Sequence, residues 1–181
     1  MTELLTPRLH CSQLKQEDWS FFLALQRDPQ VMLYIADSRP LSEIREAFDS
    51  RILPWSPGAK QWLSLVVRDR VTRIPLGLTG YQHHEGGCAE VGFLFTPTAQ
   101  GCGYGYESLR ALCDFAFSTG GVRRLTATVT AGNLASRNLL QKTGFLQEGE
   151  LRECYWLNGR WHNDWLFGLL RRWRGKGDLT L

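Results

Sequence analysis

The segment "AEVGFLFTPTAQGCGYGYESLRALCDFAF" sets the tightest limit on what this chain can fold into. Its first part is an apolar stretch closed by Pro97 and reads as a strand. Its last part places Leu109, Leu112, Cys113 and Ala116 on one face and predicts a helix from Tyr104 to Phe117. Between them Gly101, Gly103 and Gly105 alternate. Gly120 and Gly121 end the helix. In "RLTATVT", which follows, Leu125, Ala127 and Val129 point one way and Thr126 and Thr128 the other. The chain is thus committed to one strand–helix–strand crossover built around a glycine loop.

The flanking segments fill in a mixed α+β fold. "RLHCSQL" reads as a strand, and "QEDWSFFLALQRDP" as a helix closed by Pro29. "SEIREAFDSRI" is a second helix with Ser42 as its N-cap. "QWLSLVVRD" and "PLGLTGYQ" are two strands joined by a polar turn. After the crossover, "LASRNLLQK" is a short helix between the N-cap Asn133 and the terminating Gly144. "RECYWLNGRWHNDWLFGLL" is a hairpin turning at Asn158-Gly159. With 181 residues the chain suits one domain, over residues 1–170, followed by a basic C-terminal tail over 171–181.

Charge and cysteine usage exclude several function classes. The tail "RRWRGKGDLTL" holds four of the 21 Lys and Arg and one of the 18 Asp and Glu, so the body carries 17 of each. A neutral body argues against direct nucleic-acid binding, which needs a basic face. An RNA contact would rest on the tail alone. Cys11, Cys88, Cys102, Cys113 and Cys154 are odd in number and scattered, which fits neither a disulfide framework nor a zinc site. His83 and His84 are adjacent and point to opposite faces of a strand, so they do not chelate one metal together. No apolar run suits a membrane span and no basic-then-apolar leader opens the chain, which reads as soluble and cytoplasmic.

Alternating glycines before a helix suit a phosphate, because the helix start offers free N–H groups and partial positive charge. A nucleoside-triphosphate loop needs Gly-Lys-Ser/Thr, which is absent. A dinucleotide loop needs a third glycine where Tyr106 stands, and an acidic residue that "RLTATVT" lacks. The pyrophosphate pattern Gln/Arg-x-x-Gly-x-Gly/Ala is matched in full by Gln100, Gly103 and Gly105.

That match, with "LTATVTAGNLASRNLLQKTGF" after it, resembles the GNAT superfamily of N-acetyltransferases. The N-terminal "TPRLHCSQLKQEDWSFFLALQRDPQVMLYI" and the C-terminal "LRECYWLNGRWHNDWLFGLL" are similar to its RimJ/RimL branch, the ribosomal-protein N-terminal acetyltransferases and their relatives. The resemblance implies a GNAT fold, with a mostly antiparallel mixed sheet split at its middle and flanked by helices. It implies acetyl-CoA as cosubstrate and no metal. It places pantetheine between "VGFLFT" and "LTATVT", against the backbone of Phe93, Leu94 and Phe95. It assigns the pyrophosphate to Gln100, Gly101, Cys102, Gly103, Tyr104 and Gly105, and sets Asn133 and Arg137 beside the coenzyme.

Acetyl transfer from a thioester to an amine needs a neutral amine, a stabilised carbonyl oxygen and a protonated leaving thiolate. An α-amino group is neutral in roughly one part in ten at pH 7, a lysine in under about one in a thousand. An N-terminal acceptor therefore manages with a weak base. Glu90, on the central strand, is the first candidate for it. Ser136 matches the serine of the branch's Asn-x-x-Ser motif and is the candidate acid, with Tyr155 of the final hairpin as another. RimL carries a glutamate where this chain has Tyr155, so RimL's own mechanism and substrate are not carried over. The leading acceptor is a protein N-terminal α-amino group, such as that of a ribosomal protein. A small-molecule amine (polyamine, amino-acid derivative or antibiotic) and a non-catalytic acyl-CoA-binding module stay open beside it. So does the choice between monomer and homodimer.

Overall fold

In a computed structural model that describes residues 1–174, the strand patterns assemble into one eight-stranded sheet. The strands are β1 (Glu3–Leu5), β2 (Leu9–Gln13), β3 (Leu63–Asp69), β4 (Pro75–His84), β5 (Cys88–Phe95), β6 (Arg124–Thr130), β7 (Leu146–Leu157) and β8 (Arg160–Leu170). Their order is β1-β2-β3-β4-β5-β6-β8-β7. Every neighbouring pair is antiparallel except β5 and β6, the two strands of the crossover. The outer part of the tail expected over 171–181 lies outside the described residues. Arg171–Arg174 form a short helix, α6, after β8.

The helices divide between the two faces. α1 (Trp19–Arg27), α2 (Pro29–Met32) and α3 (Leu41–Arg51) cover one. Phe22, Leu25, Ile44 and Phe48 there pack on Val66 and Leu78. α4 (Tyr104–Ser118) and α5 (Leu134–Thr143) cover the other, where Leu109, Leu112, Ala116 and Leu140 meet Leu65, Val91 and Leu125. Leu109 and Leu112 are fully buried, and truncating either to alanine costs about 2–5 kcal/mol. The same alternation governs β5: Ala89, Val91 and Phe95 join the α4 face, while Leu94 joins the α1–α3 face. Among the described residues no helix is long and apolar enough to cross a membrane.

Local chemistry sets most boundaries where the sequence puts them. Asn158 and Gly159 both take positive φ (52° and 76°), as a two-residue hairpin turn requires. Asn133 Oδ1 accepts the Ser136 N–H at 3.2 Å and caps α5. One expectation needs correction. Ser42 does not cap α3: the helix already starts at Leu41, and Pro40 is its N-cap. Pro29 closes α1 as expected, standing just past its C-cap Asp28. It also opens α2, where its missing N–H costs nothing, and Asp28 caps that helix by accepting from Gln30 N and Val31 N.

The sheet comes apart at its middle. The β5–β6 ladder holds for three pairs, Cys88–Arg124, Ala89–Leu125 and Glu90–Thr126, and then ends. Past that point β5 stays paired with β4, and β6 with β8. From Val91 and from Ala127 onward, the facing edges carry backbone groups that the sheet does not pair.

Candidate active site

The glycine loop opens into a cleft of about 410 Å³. Gln100, Gly101, Gly103, Tyr104 and Gly105 line it with Phe93, Leu94 and Phe95. Gly101 and Gly103 have φ of 75° and 81°, a conformation that other residues adopt only under strain. Gly103 is the N-cap of α4 and no side chain caps it, so the first-turn N–H groups have no side-chain acceptor. Gly105 lets α4 approach α5 closely: a Cβ there would lie 3.0 Å from a Leu139 methyl, which would have to shift. Gln100 braces the loop, its amide donating to Phe95 O at 3.1 Å. Cys102 is exposed and does not line the cleft; its carbonyl accepts from Arg8 at 2.9 Å and its thiol donates to Gln100 O at 3.6 Å.

A second cleft, of about 260 Å³, occupies the split itself. Val91, Gly92 and Phe93 form one wall and Ala127–Thr130 the other. Asn133 and Ser136 line both clefts, at their junction. The cap uses the Ser136 N–H, and the Ser136 hydroxyl makes no hydrogen bond to protein among the described residues. Tyr155 also lines the split. Its hydroxyl donates to Ile35 O at 2.5 Å, and Asn158 holds the same segment through Leu33 O and the Asp37 carboxylate. Burial first, and then the Asp37 and Asp164 carboxylates, push the Tyr155 phenol above its ordinary value, so at neutral pH it stays protonated and keeps its bond to Ile35 O.

Two sequence candidates lie elsewhere. Glu90 sits in the last pair before the strands part and lines none of the clefts; its carboxylate lies 3.4 Å from His84 Nε2. The carboxylate that does line the split is Asp164, on β8 opposite Thr130. Arg137 is not in the cleft wall: it stacks over Trp165 at 5.4 Å. Lys142 is the cation of α5 that lines the loop cleft, over the Tyr106 ring at 4.4 Å. The helical spacing carries this signal, since steps of three and four from Ala135 reach Asn138, Leu139 and Lys142 and pass over Arg137. Asp164 has a weaker one: Tyr155, His162 and Asp164 share a face of the final hairpin.

A third cavity, of about 280 Å³, opens on the α1–α3 face. It meets the other two at Ile35 and Phe93, which line all three. The three therefore lie side by side around Ile35 and Phe93, from the helix start, along the split, to the α1–α3 face of the sheet. A linear amide ligand with a pyrophosphate at one end fits the first two, with unpaired strand edges for its amides and a helix N-terminus for its phosphates.

Comparison with known proteins agrees with this geometry. The model of the acetyltransferase (GNAT) domain family matches residues 8–146. An uncharacterized N-acetyltransferase from Bacillus licheniformis is 29% identical over 177 residues, covering 95% of this chain and 98% of that protein. The spermidine N-acetyltransferase of Vibrio cholerae, solved with CoA and spermine, superposes with a TM-score of 0.80 at 22% identity, covering 92% of this chain and 98% of that one. A Salmonella typhimurium acetyltransferase that modifies the N-terminal serine of a 50S ribosomal subunit protein superposes with a TM-score of 0.81 at 18% identity, covering 93% and 99%. At these identities the two solved structures share the fold, and their acceptors differ.

Proposed function

Since the chain belongs to the GNAT acetyltransferase family, we propose that it uses acetyl-CoA to acetylate a protein N-terminal α-amino group, as the ribosomal-protein acetyltransferases of the RimJ/RimL branch do. The observation that carries the reading is the wall of the third cavity, where the acceptor approaches the split: none of its lining residues is acidic. A polyamine wants carboxylates along its length, whereas an α-amine wants one weak base near its nitrogen. Asp164 is such a base in the split.

Bound acetyl-CoA supplies the acetyl thioester. Gly101, Gly103 and the first turn of α4 hold its pyrophosphate, Lys142 adds charge, and the strand edges beyond Glu90 and Thr126 hold its amides. The acceptor nitrogen bonds to the acetyl carbon as the carbon–sulfur bond breaks. Asp164 takes the proton from the amine, the unengaged Ser136 hydroxyl passes one to the departing sulfur, and the proton on Asp164 returns to Ser136 through solvent, so that the products are the amide and the neutral thiol. Tyr155, tied to Ile35, positions the acceptor segment. The reading places the enzyme in the cytoplasm, where new N-termini appear.

The test is release of the coenzyme thiol with peptides bearing free N-termini, the same peptides N-blocked, and polyamines. Release that requires the free α-amine supports the reading. Equal release from N-blocked lysine peptides or from spermidine would overturn it.

A further inference from the structure

The third cavity is walled by two arginines, Arg39 in the segment after α2 and Arg51 at the end of α3. Arg51 lies over the Trp62 ring at 5.0 Å and donates one bond, to Ser64 Oγ at 3.3 Å. Arg39 donates to Gln26 Oε1. Neither has a carboxylate within ion-pairing distance among the described residues. Both are partly buried. Burial first, and then the charge of Arg39, pulls the Arg51 guanidinium down to about 10. Partly buried cations normally keep a counter-ion. Two that repel each other in a cavity wall, with N–H groups to spare, are arranged for an anion from outside, and the guanidinium fork matches a carboxylate.

We propose that the acceptor is an α-amine carrying a carboxylate a few bonds from its nitrogen, and that Arg39 and Arg51 hold that carboxylate while the amine reaches Asp164 past Gly92. The proposal rests on the acetyl-transfer reading above. Charge is divided to suit it: Asp164 lines the split, and the two arginines line the cavity that joins it at Ile35 and Phe93. An acidic residue next to a protein N-terminus and a free amino acid share this chemistry. A polyamine opposes it, since its distal ammonium would face two guanidinium groups.

The experiment compares thiol release with peptides beginning Ser-Glu, Ser-Gln and Ser-Lys, with free glutamate, and with spermidine. The expected result is a kcat/KM for an acidic acceptor at least about tenfold above its neutral isostere, with Ser-Lys and spermidine lowest. A preference for the Ser-Glu peptide identifies a protein N-terminus, and one for glutamate a free amino acid; either supports the proposal. Arg39→Gln and Arg51→Gln narrow the preference, chiefly through KM, while stabilisation of the fold by acetyl-CoA persists. If Arg51→Gln fails to fold for want of its Trp62 contact, Arg39→Gln decides. Preference for basic acceptors, or a preference unchanged in the variants, overturns this proposal alone. Absence of thiol release with every amine overturns the transfer reading and this proposal with it.

Discussion

Arg8 and Glu107 stand 99 residues apart in the chain and meet in an ion pair at 2.7 Å. The same carboxylate accepts from Thr6 Oγ1 at 2.6 Å and from Arg8 N at 2.9 Å. Arg8 also reaches Cys102 O at 2.9 Å and lies over the Tyr104 ring at 4.6 Å. The segment before β2 is thereby clamped onto the first turn of α4, and the glycine loop is held in place by a group from the far end of the chain.

The clamp makes stability depend on acid pH. Burial alone would raise the Glu107 carboxyl, but the bonds from Thr6 and Arg8 outweigh it, and the net shift is downward. Its contribution is therefore present above the unfolded carboxyl value of about 4.3 and is lost as pH falls through the lower folded value. Half of the Arg8 side chain is exposed, so solvent screening limits Glu107→Gln to about 1 kcal/mol at pH 7. The melting temperature falls by about 2–4 °C. Melts at pH 7 and pH 3 check this: the gap between variant and parent closes at the lower pH, and an equal gap at both counts against the clamp.

Acetyl-CoA at a hundred times its Kd stabilises the fold by about 2.7 kcal/mol, a rise of roughly 5–10 °C. Gly103→Glu abolishes that rise. A side chain at φ 81° is strained, and a carboxylate at the start of α4 repels the pyrophosphate. A thermal melt with and without the coenzyme reads both. Retention of the full rise in the variant would place the coenzyme elsewhere.

Ser136→Ala lowers kcat by about 100-fold or more, the range for loss of a positioned proton donor, with coenzyme affinity unchanged. Tyr155→Phe instead raises KM for the acceptor, because the Tyr155 hydroxyl is spent on Ile35 O and anchors the acceptor wall. Steady-state kinetics separate the two. The reverse pattern would exchange their roles.

Asp164→Asn lowers kcat/KM by about 100-fold, whereas Glu90→Gln leaves it within about threefold of the parent. Asp164 lines the split and Glu90, beside His84, does not. Rates for both variants with one acceptor peptide decide between the carboxylates. A large loss in Glu90→Gln alone would return the base to β5 through a water.

The parts of the fold that short-range physics controls are legible in the sequence. Positive φ at Asn158-Gly159, the cap on Asn133 and the αL turn at Gly144 each depend on residues a few positions away. So does the glycine loop, whose alternating glycines permit the φ values that bring backbone N–H groups to one place. β1 goes unread because its three residues are short of any periodicity, and it forms only by pairing with β2.

By itself, then, the sequence determined the crossover, the glycine loop, the hairpin and Ser136 beside its cap. The tertiary structure alone decided which charges line the split and the cavity beside it. Whether Glu90 or Asp164 lines the split depends on where the β5–β6 ladder ends and on the register of β8 against β6. Arg39 and Arg51 share a wall because α2 and α3 pack on one face of the sheet, around Phe22 and Phe48. Such meetings join residues with no local interaction, so no spacing along the chain encodes them. They arise when burial of two separate apolar faces fixes the helices on the sheet.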